Sequence, residues 1–189
     1  MADFSIISDV SNEVLRLLRE HICPDLIQSP ESIALASPTD KNADFQLGLY
    51  LYDIQELREY QQADLIRLRG NQAQYPPKPL NLFFALYMST KSQLLSNAEN
   101  EQRILGRVIQ VLMDHAILYE TAGEEETSAS ITLLPLSFEE KTKIWSVLSV
   151  PYQLGVYFSV APVLLSSKRV RSFRRVVAAD FELEQGRAR

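Results

Sequence analysis

The residues able to do chemistry are few and scattered. The sequence has two histidines, His21 and His115, and one cysteine, Cys23. Neither histidine has a Cys, Asp or Glu at the spacing of a metal motif. His115 adjoins Asp114, but adjacent residues of a helix do not face each other, which excludes a dyad there. Both histidines read as helix flanks. Cys23 lacks a matched base and reads as a small buried residue, not a nucleophile. The six glycines are scattered and form no phosphate-cradling loop. Gly48, Gly106 and Gly155 fall inside expected elements, where glycine permits a bulge or a close backbone approach. The serines of Ser146-Val147-Leu148-Ser149 lack the small-residue frame of a nucleophile elbow. No acid, base and nucleophile set can be named together, which leaves a small enzyme as the third and weakest reading of the residues.

The chemistry left is charge. Lys168, Arg169, Arg171, Arg174 and Arg175 place five cations in the eight residues KRVRSFRR. Three readings fit: a patch for an acidic protein partner, a charged edge strand that resists wrong pairing, and a phosphate contact. A formal net charge of -5 ranks them in that order, because a global nucleic-acid footprint is missing. Arg58, Arg67 and Arg69 admit the same weighing, with a solvated loop close behind. All eight are the candidate protein-contact residues.

These residues must be positioned by a core, and the organising stretch is Ile131 to Leu165. A short apolar run, Ile131–Leu134, is stopped by Pro135. Ser137 and Glu140 have the spacing of a capping box and start a helix to about Leu148. Ile144, Val147 and Leu148 share one face of it, and Trp145 should be buried there against the final strand. That strand spans Tyr152–Leu165. Leu154, Val156, Phe158 and Val160 lie on one face of it, with Gln153, Gly155, Tyr157 and Ser159 on the other.

Earlier in the chain, Ile6, Val10, Val14, Leu17 and Leu18 predict a helix over 6–21, capped by Asp3 or Ser5 and ended by Pro24. Ile33–Ala36 reads as an edge strand or loop. Residues 44–54 predict a central strand with two apolar faces. Residues 56–78 are rich in Arg, Gln and Glu and end in Tyr75-Pro76-Pro77-Lys78-Pro79, which reads as an exposed arm or β-excursion. Leu80–Thr90 is a further strand. Ser96 and Glu99 form a second capping box, starting a helix to about Tyr119 with Ile104, Leu105, Val108, Leu112 and Met113 inward. Residues 123–130, GEEETSAS, read as an acidic loop.

The expected fold is α/β (α+β): one mixed sheet packed by about three helices. Residues 1–167 form the domain, with its arm at 56–78, and 168–189 a basic C-terminal strand and tail. At 189 residues and 46% hydrophobic the chain can fill one core. No apolar run has membrane-spanning length, because Pro162 breaks the longest. MADFSIISDV lacks a basic region ahead of an apolar one, so no secretory signal is expected. The single cysteine fits synthesis in a reducing cytoplasm.

One ordered set of stretches carries a resemblance. It comprises the N-terminal amphipathic helix, FQLGLYLYDI, YPPKPLNLFFALYMST, ENEQRILGRVIQVLMDH and IWSVLSVPYQLGVYFSVAPVLL. Together, from Ile6 to Leu165, they resemble the cap, or tail-terminator, family of extracellular contractile injection systems. The resemblance implies a small α/β terminator fold and a homohexameric ring. It implies binding to the last layer of inner tube protein and contractile sheath protein, at the end distal to the baseplate. It implies no enzyme activity, cofactor, metal, nucleic acid or membrane. Some relatives carry a C-terminal extension beyond the span matched here. The alternative from the binding class is an assembly adaptor or chaperone that holds tube or sheath protein without remaining in the particle.

Overall fold

In the computed structural model the described residues are 4–40, 44–60, 65–68, 71–89, 98–120 and 127–172. Among them are three α-helices: α1 (Ile6–Ile22), α2 (Ala98–Asp114) and α3 (Phe138–Val147). In chain order the strands are β1 (Ile33–Leu35), β2 (Leu47–Glu56), β3 (Ile66–Arg67), β4 (Gln72–Gln74), β5 (Lys78–Met88), β6 (Ile117–Glu120), β7 (Thr127–Leu133), β8 (Gly155–Leu165) and β9 (Val170–Ser172). Contacts divide the chain into two units, Met1–Gln61 with Pro77–Ser166, and Gln62–Pro76 with Ser167–Arg189.

The first unit holds a six-stranded mixed sheet in the order β1-β2-β5-β8-β7-β6. β1 runs parallel to β2, and every other neighbour pair is antiparallel. Its centre is the pairing of β5 with β8, where Leu82 faces Val160, Phe84 faces Phe158 and Leu86 faces Val156. The rings of Phe84 and Phe158 stack with centroids 5.3 Å apart. Strand alternation sends this row to one side, where α1 and α2 cover it with Val14, Leu18, Ile22, Ile104, Val108 and Leu112. Burying a side chain of that size contributes about 1.5–3 kcal/mol, so this layer dominates stability.

The other side of the sheet carries a smaller cluster of Phe45, Tyr87 and Trp145, and α3 supplies the Trp. The capping box is formed: Ser137 accepts from the Glu140 N–H at 3.3 Å, and the Glu140 carboxylate takes the Ser137 N–H at 2.8 Å. Trp145 is 2% exposed, as expected. It meets Tyr87 and Tyr157, not the row of Phe158 and Val160. Ile144, Val147 and Leu148 do not form the seated face, since Val147 is 85% exposed. The helix is too short to bury a stripe, and one indole anchors it.

Other expectations shift for local reasons. α1 ends at Ile22, and Cys23 turns extended ahead of Pro24, as a residue before proline must. Ser5 occupies the N-cap but caps no N–H with its hydroxyl, which is given to Asp9 at 2.8 Å. The helix expected to reach Tyr119 stops at Asp114, and Ile117–Glu120 is a strand paired with β7. Within α2, Val111 is buried and Met113 exposed. Thr127–Ser130, read as loop, belongs to β7, whose Ala129 and Ile131 are buried. β8 begins at Gly155, leaving Leu154 exposed ahead of it. Ser96 lies outside the described residues.

The second unit is a three-stranded sheet in the order β3-β4-β9. The arm and the basic C-terminal segment, separate features of the sequence, are strands of this one sheet.

Candidate assembly interface

The register of the small sheet decides what its charges can do. Arg67 pairs with Ala73, and Ala73 pairs with Arg171. Directly opposite residues share a face, so Arg67 and Arg171 stand on one face with Ala73 between them. The next row continues it, since the Tyr75 N–H donates to the Arg169 carbonyl at 3.3 Å. The Arg169 guanidinium lies over the Tyr75 ring, 4.9 Å from its centroid, a geometry in which the aromatic face attracts the cation. The row of Ile66, Gln74 and Val170 takes the opposite face. Ala73 is buried, and Arg67, Arg169 and Arg171 are exposed. Arginines two strands apart are about 9–10 Å from each other at the backbone. That is near the screening length at physiological salt, so the sheet tolerates the pair. One side-chain anchor holds the β9 segment to β4 at this end, where Gln74 donates its side-chain N–H to the Ser167 carbonyl; the Arg169 N–H, donating to the Ser167 hydroxyl at 3.2 Å, shapes the turn into β9 itself.

The candidate cations therefore fall into three groups. Arg67, Arg169 and Arg171 share a face, and Lys168 is exposed beside them in sequence. Arg58 is exposed on a short 3-10 turn, Arg58–Tyr60, in the first unit. Arg69, Arg174 and Arg175 lie outside the described residues. What the shared face can do is bind anionic surface by planar, bidentate contacts.

The first unit offers a second surface. A cleft of about 360 Å³ is lined by Tyr50, Tyr52, Asp53, Lys143, Ile144, Val147 and Leu148. Asp53 accepts from the Ile54 N–H at 2.8 Å and from the Gln55 side chain at 2.7 Å, so each of its oxygens has a partner within its own strand. Burial, then the Asp53 charge, pushes the Tyr52 phenol up to about 12. This wall of tyrosine and aliphatic carbon fits packing against another surface. The Cys23 thiol is partly buried and pushed up mainly by that burial, the reverse of an activated nucleophile. No helix among the described residues is long and apolar enough to cross a membrane.

The profile of one protein family, described as the Pvc16 N-terminal domain, matches residues 9–179. The chain belongs to the Pvc16 N-terminal domain family. Its fold is similar to that of a solved sheath/tube terminator, in the extended state, of an extracellular contractile injection system. The TM-score is 0.65 at 19% identity, over 98% of this chain and 65% of that one. It is similar also to the tube-terminating cap of the anti-feeding prophage, with TM-score 0.63 at 14% identity over 93% of this chain and 61% of that one. The chain thus spans under two thirds of each solved chain. No curated protein sequence matches it.

In this Pvc16 N-terminal domain the sequence reading missed two constellations. One is the shared face itself: β4 holds a single apolar residue, Ala73, between two glutamines, too little to signal a strand. The other is a pair of rings. His21 and His115, read as separate helix flanks, stack with centroids 4.5 Å apart and planes 30° apart. Their separation in sequence hides this, and only the packing of α1 on α2 brings it about.

Proposed function

We propose that this Pvc16-type domain is a structural cap. Copies close into a homohexameric ring that ends the inner tube and outer sheath of a contractile injection particle, distal to the baseplate, and couples the two. The family match over residues 9–179 carries this reading, and likeness to two terminator folds supports it. Arg67, Arg169 and Arg171, with Arg58, Arg69, Lys168, Arg174 and Arg175, supply the cationic contacts to tube, sheath or neighbouring subunit. The subunit acts by binding alone, as a non-enzyme without cofactor, metal, nucleic acid or membrane. It is made in the cytoplasm and then joins the particle. A tube end repeats one surface around an axis, so a ring meets it with one contact type, and weak contacts add through avidity.

Mass spectrometry and electron microscopy of purified particles test this. The chain is expected in them at about six copies per particle, at one end. Particles assembled without it are expected to vary in length. Absence of the chain from finished particles would replace the cap by an adaptor or chaperone that leaves after assembly.

A further inference from the structure

We propose that the open edge of β6 takes a strand from a different protein, an extended segment of alternating apolar residues flanked by Lys or Arg. β1 and β6 are the two edges of the six-stranded sheet, and the fold treats them differently. At β1 the Ser32 carbonyl accepts from the Gln46 N–H at 2.8 Å, and the Ala36 N–H donates to the Leu49 carbonyl at 3.0 Å. Even-numbered residues thus turn their backbone groups to β2, and Ile33 and Leu35 turn theirs outward. The Ile33 carbonyl is already taken: the Arg19 guanidinium donates to it from Nε at 3.0 Å and from Nη2 at 2.7 Å. Three residues long and lying between Pro30 and Pro38, β1 is guarded against a further strand.

β6 has no such guard among the described residues. The Ile131 N–H donates to the Ala116 carbonyl at 2.7 Å, and the register pairs Leu118 with Ala129 and Glu120 with Thr127. Bonded pairs alternate in an antiparallel ladder, so Ala116, Leu118 and Glu120 bond to β7. Ile117 and Tyr119 direct their backbone N–H and C=O groups to the open side. An apolar overhang lies above this edge. α2 packs over β7 and β8, and α1 over β1 and β2. Arg107 marks the flank of α2 that faces α1, since it donates to the His21 carbonyl at 3.2 Å. At about 100° per residue, Ile109 falls on the opposite flank, toward β6, with Met113 one turn further on. Ile109 is 37% exposed and Met113 63%. Leu118, on the same side of the sheet as α2, is buried.

Charge selects the occupant. Asp114 precedes the strand, Glu120 ends it, and Glu124, Glu125 and Glu126 follow in sequence. Two copies pairing β6 on β6 would run antiparallel and set the acidic start of one strand beside the acidic end of the other, where like charges destabilise. Pairing β6 on the β1 of a second copy meets the Arg19 guard. A strand with cations at its ends meets acid at both ends of β6 instead. Its residue opposite Leu118 would share the helix-facing side and pack against Met113 and Ile109, so that position calls for an apolar side chain. Main-chain bonds then give affinity and alternate side chains selectivity. The inference concerns one edge of the subunit and holds whether or not copies close into a ring.

The test uses the full chain and a dye-labelled peptide, Lys-Lys-Thr-Val-Thr-Val-Thr-Lys-Lys, followed by fluorescence anisotropy, with amide exchange read by NMR. Saturable binding is expected. The Ile117 and Tyr119 amides should slow in exchange on binding, while the Leu118 amide, already bonded to β7, should not change. With valine opposite Leu118, the threonine N–H groups face β6. Methylating those nitrogens should weaken binding about tenfold, the worth of about two edge hydrogen bonds. Glu in place of the four lysines should also weaken it about tenfold, since attraction at each end becomes repulsion. Ile117→Pro removes an outward donor without touching the β7 ladder and should cost about fivefold in Kd. Met113→Ser, at an exposed site, should cost about as much through lost apolar contact, and it keeps the test on the protein side if Ile117→Pro fails to fold. Absence of binding, or equal binding of the methylated peptide, would overturn strand addition. A wild-type dimer in sedimentation that Ile117→Pro dissolves would overturn it too, by giving the edge to a second copy.

Discussion

Trp145 holds α3 to the sheet almost alone. Its indole N–H donates to the Tyr157 hydroxyl at 2.7 Å, in a buried site. Its ring meets Tyr87 edge-on, centroids 5.4 Å apart. Trp145→Ala should therefore cost about 3–5 kcal/mol in urea unfolding, the range of a large aromatic lost from a core. Native fluorescence typical of exposed indole would contradict the placement. The tyrosines around it make a second prediction. Burial pushes the phenols of Tyr52, Tyr87 and Tyr157 up, Tyr52 to about 12 and Tyr87 further. At Tyr157 the bond from Trp145 offsets part of the rise. Above about pH 10 the unfolded chain loses phenol protons that the folded chain keeps. The folded state then binds more protons, so stability is full below that pH and declines as pH rises through the folded values. A tyrosinate absorbance titration should show these three lagging the rest, then ionising together on alkaline unfolding. Smooth titration of all tyrosines near pH 10 in folded protein would exclude this.

At the scale of elements, what was legible and what was not divide by how locally the signal is written. The alternation of β5 and the stripe of α1 are long, so Leu82, Phe84, Leu86, Val14 and Leu18 took their expected sides. The capping box of α3 is a four-residue signal and formed as expected. By contrast, β6 continues the apolar spacing of α2 without Gly or Pro between them, so nothing local marks the switch at His115-Ala116. The start of β7 had a findable signal in the inward alternation of Ala129, Ile131 and Leu133, masked by its acidic, serine-rich setting. A β-excursion and a basic C-terminal strand were legible separately, but not as one sheet, because the pairing of β4 with β9 joins segments almost a hundred residues apart. Glycines give the prediction for this scale. A Cβ at Gly155 would collide with the Leu86 carbonyl oxygen, which is β5 backbone. Gly155→Ala should thus force β8 off β5 and cost about 1–3 kcal/mol, as overpacking does. At Gly106, inside α2, an added Cβ meets nothing within 4 Å. Gly106→Ala should stabilise by up to about 1 kcal/mol through helix propensity. Equal effects of the two changes on denaturant midpoints would show that β8 does not need the close approach.

For the whole molecule the unusual feature is a cationic face on a chain of net charge -5. Arg67 and Arg171 flank Ala73 in one row, and both are exposed. Neither side chain lies in the hydrophobic core of the six-stranded sheet, so replacing both should leave that fold intact. In the proposed ring each copy presents the same face, and one substitution is repeated at every contact. An exposed ion pair is worth about 0.2–1 kcal/mol, negligible once but additive around a ring. Salt screens such pairs, so attachment of the wild-type cap should loosen as ionic strength rises towards 1 M, where the screening length falls to about 3 Å. The double variant Arg67→Glu/Arg171→Glu reverses four charges' worth of attraction per copy, because each Arg-to-Glu change removes a positive charge and adds a negative one. It should keep the circular dichroism and thermal unfolding of the wild type yet cap poorly, giving particles of uneven length in electron micrographs. Arg67→Gln/Arg171→Gln should fall between the two, since it removes attraction without adding repulsion. Uniform lengths with the Glu variant, at low and at high salt, would mean that this face meets no anionic surface and that the cap is held by apolar contacts, for which the tyrosine-lined cleft beside α3 is the next surface to alter.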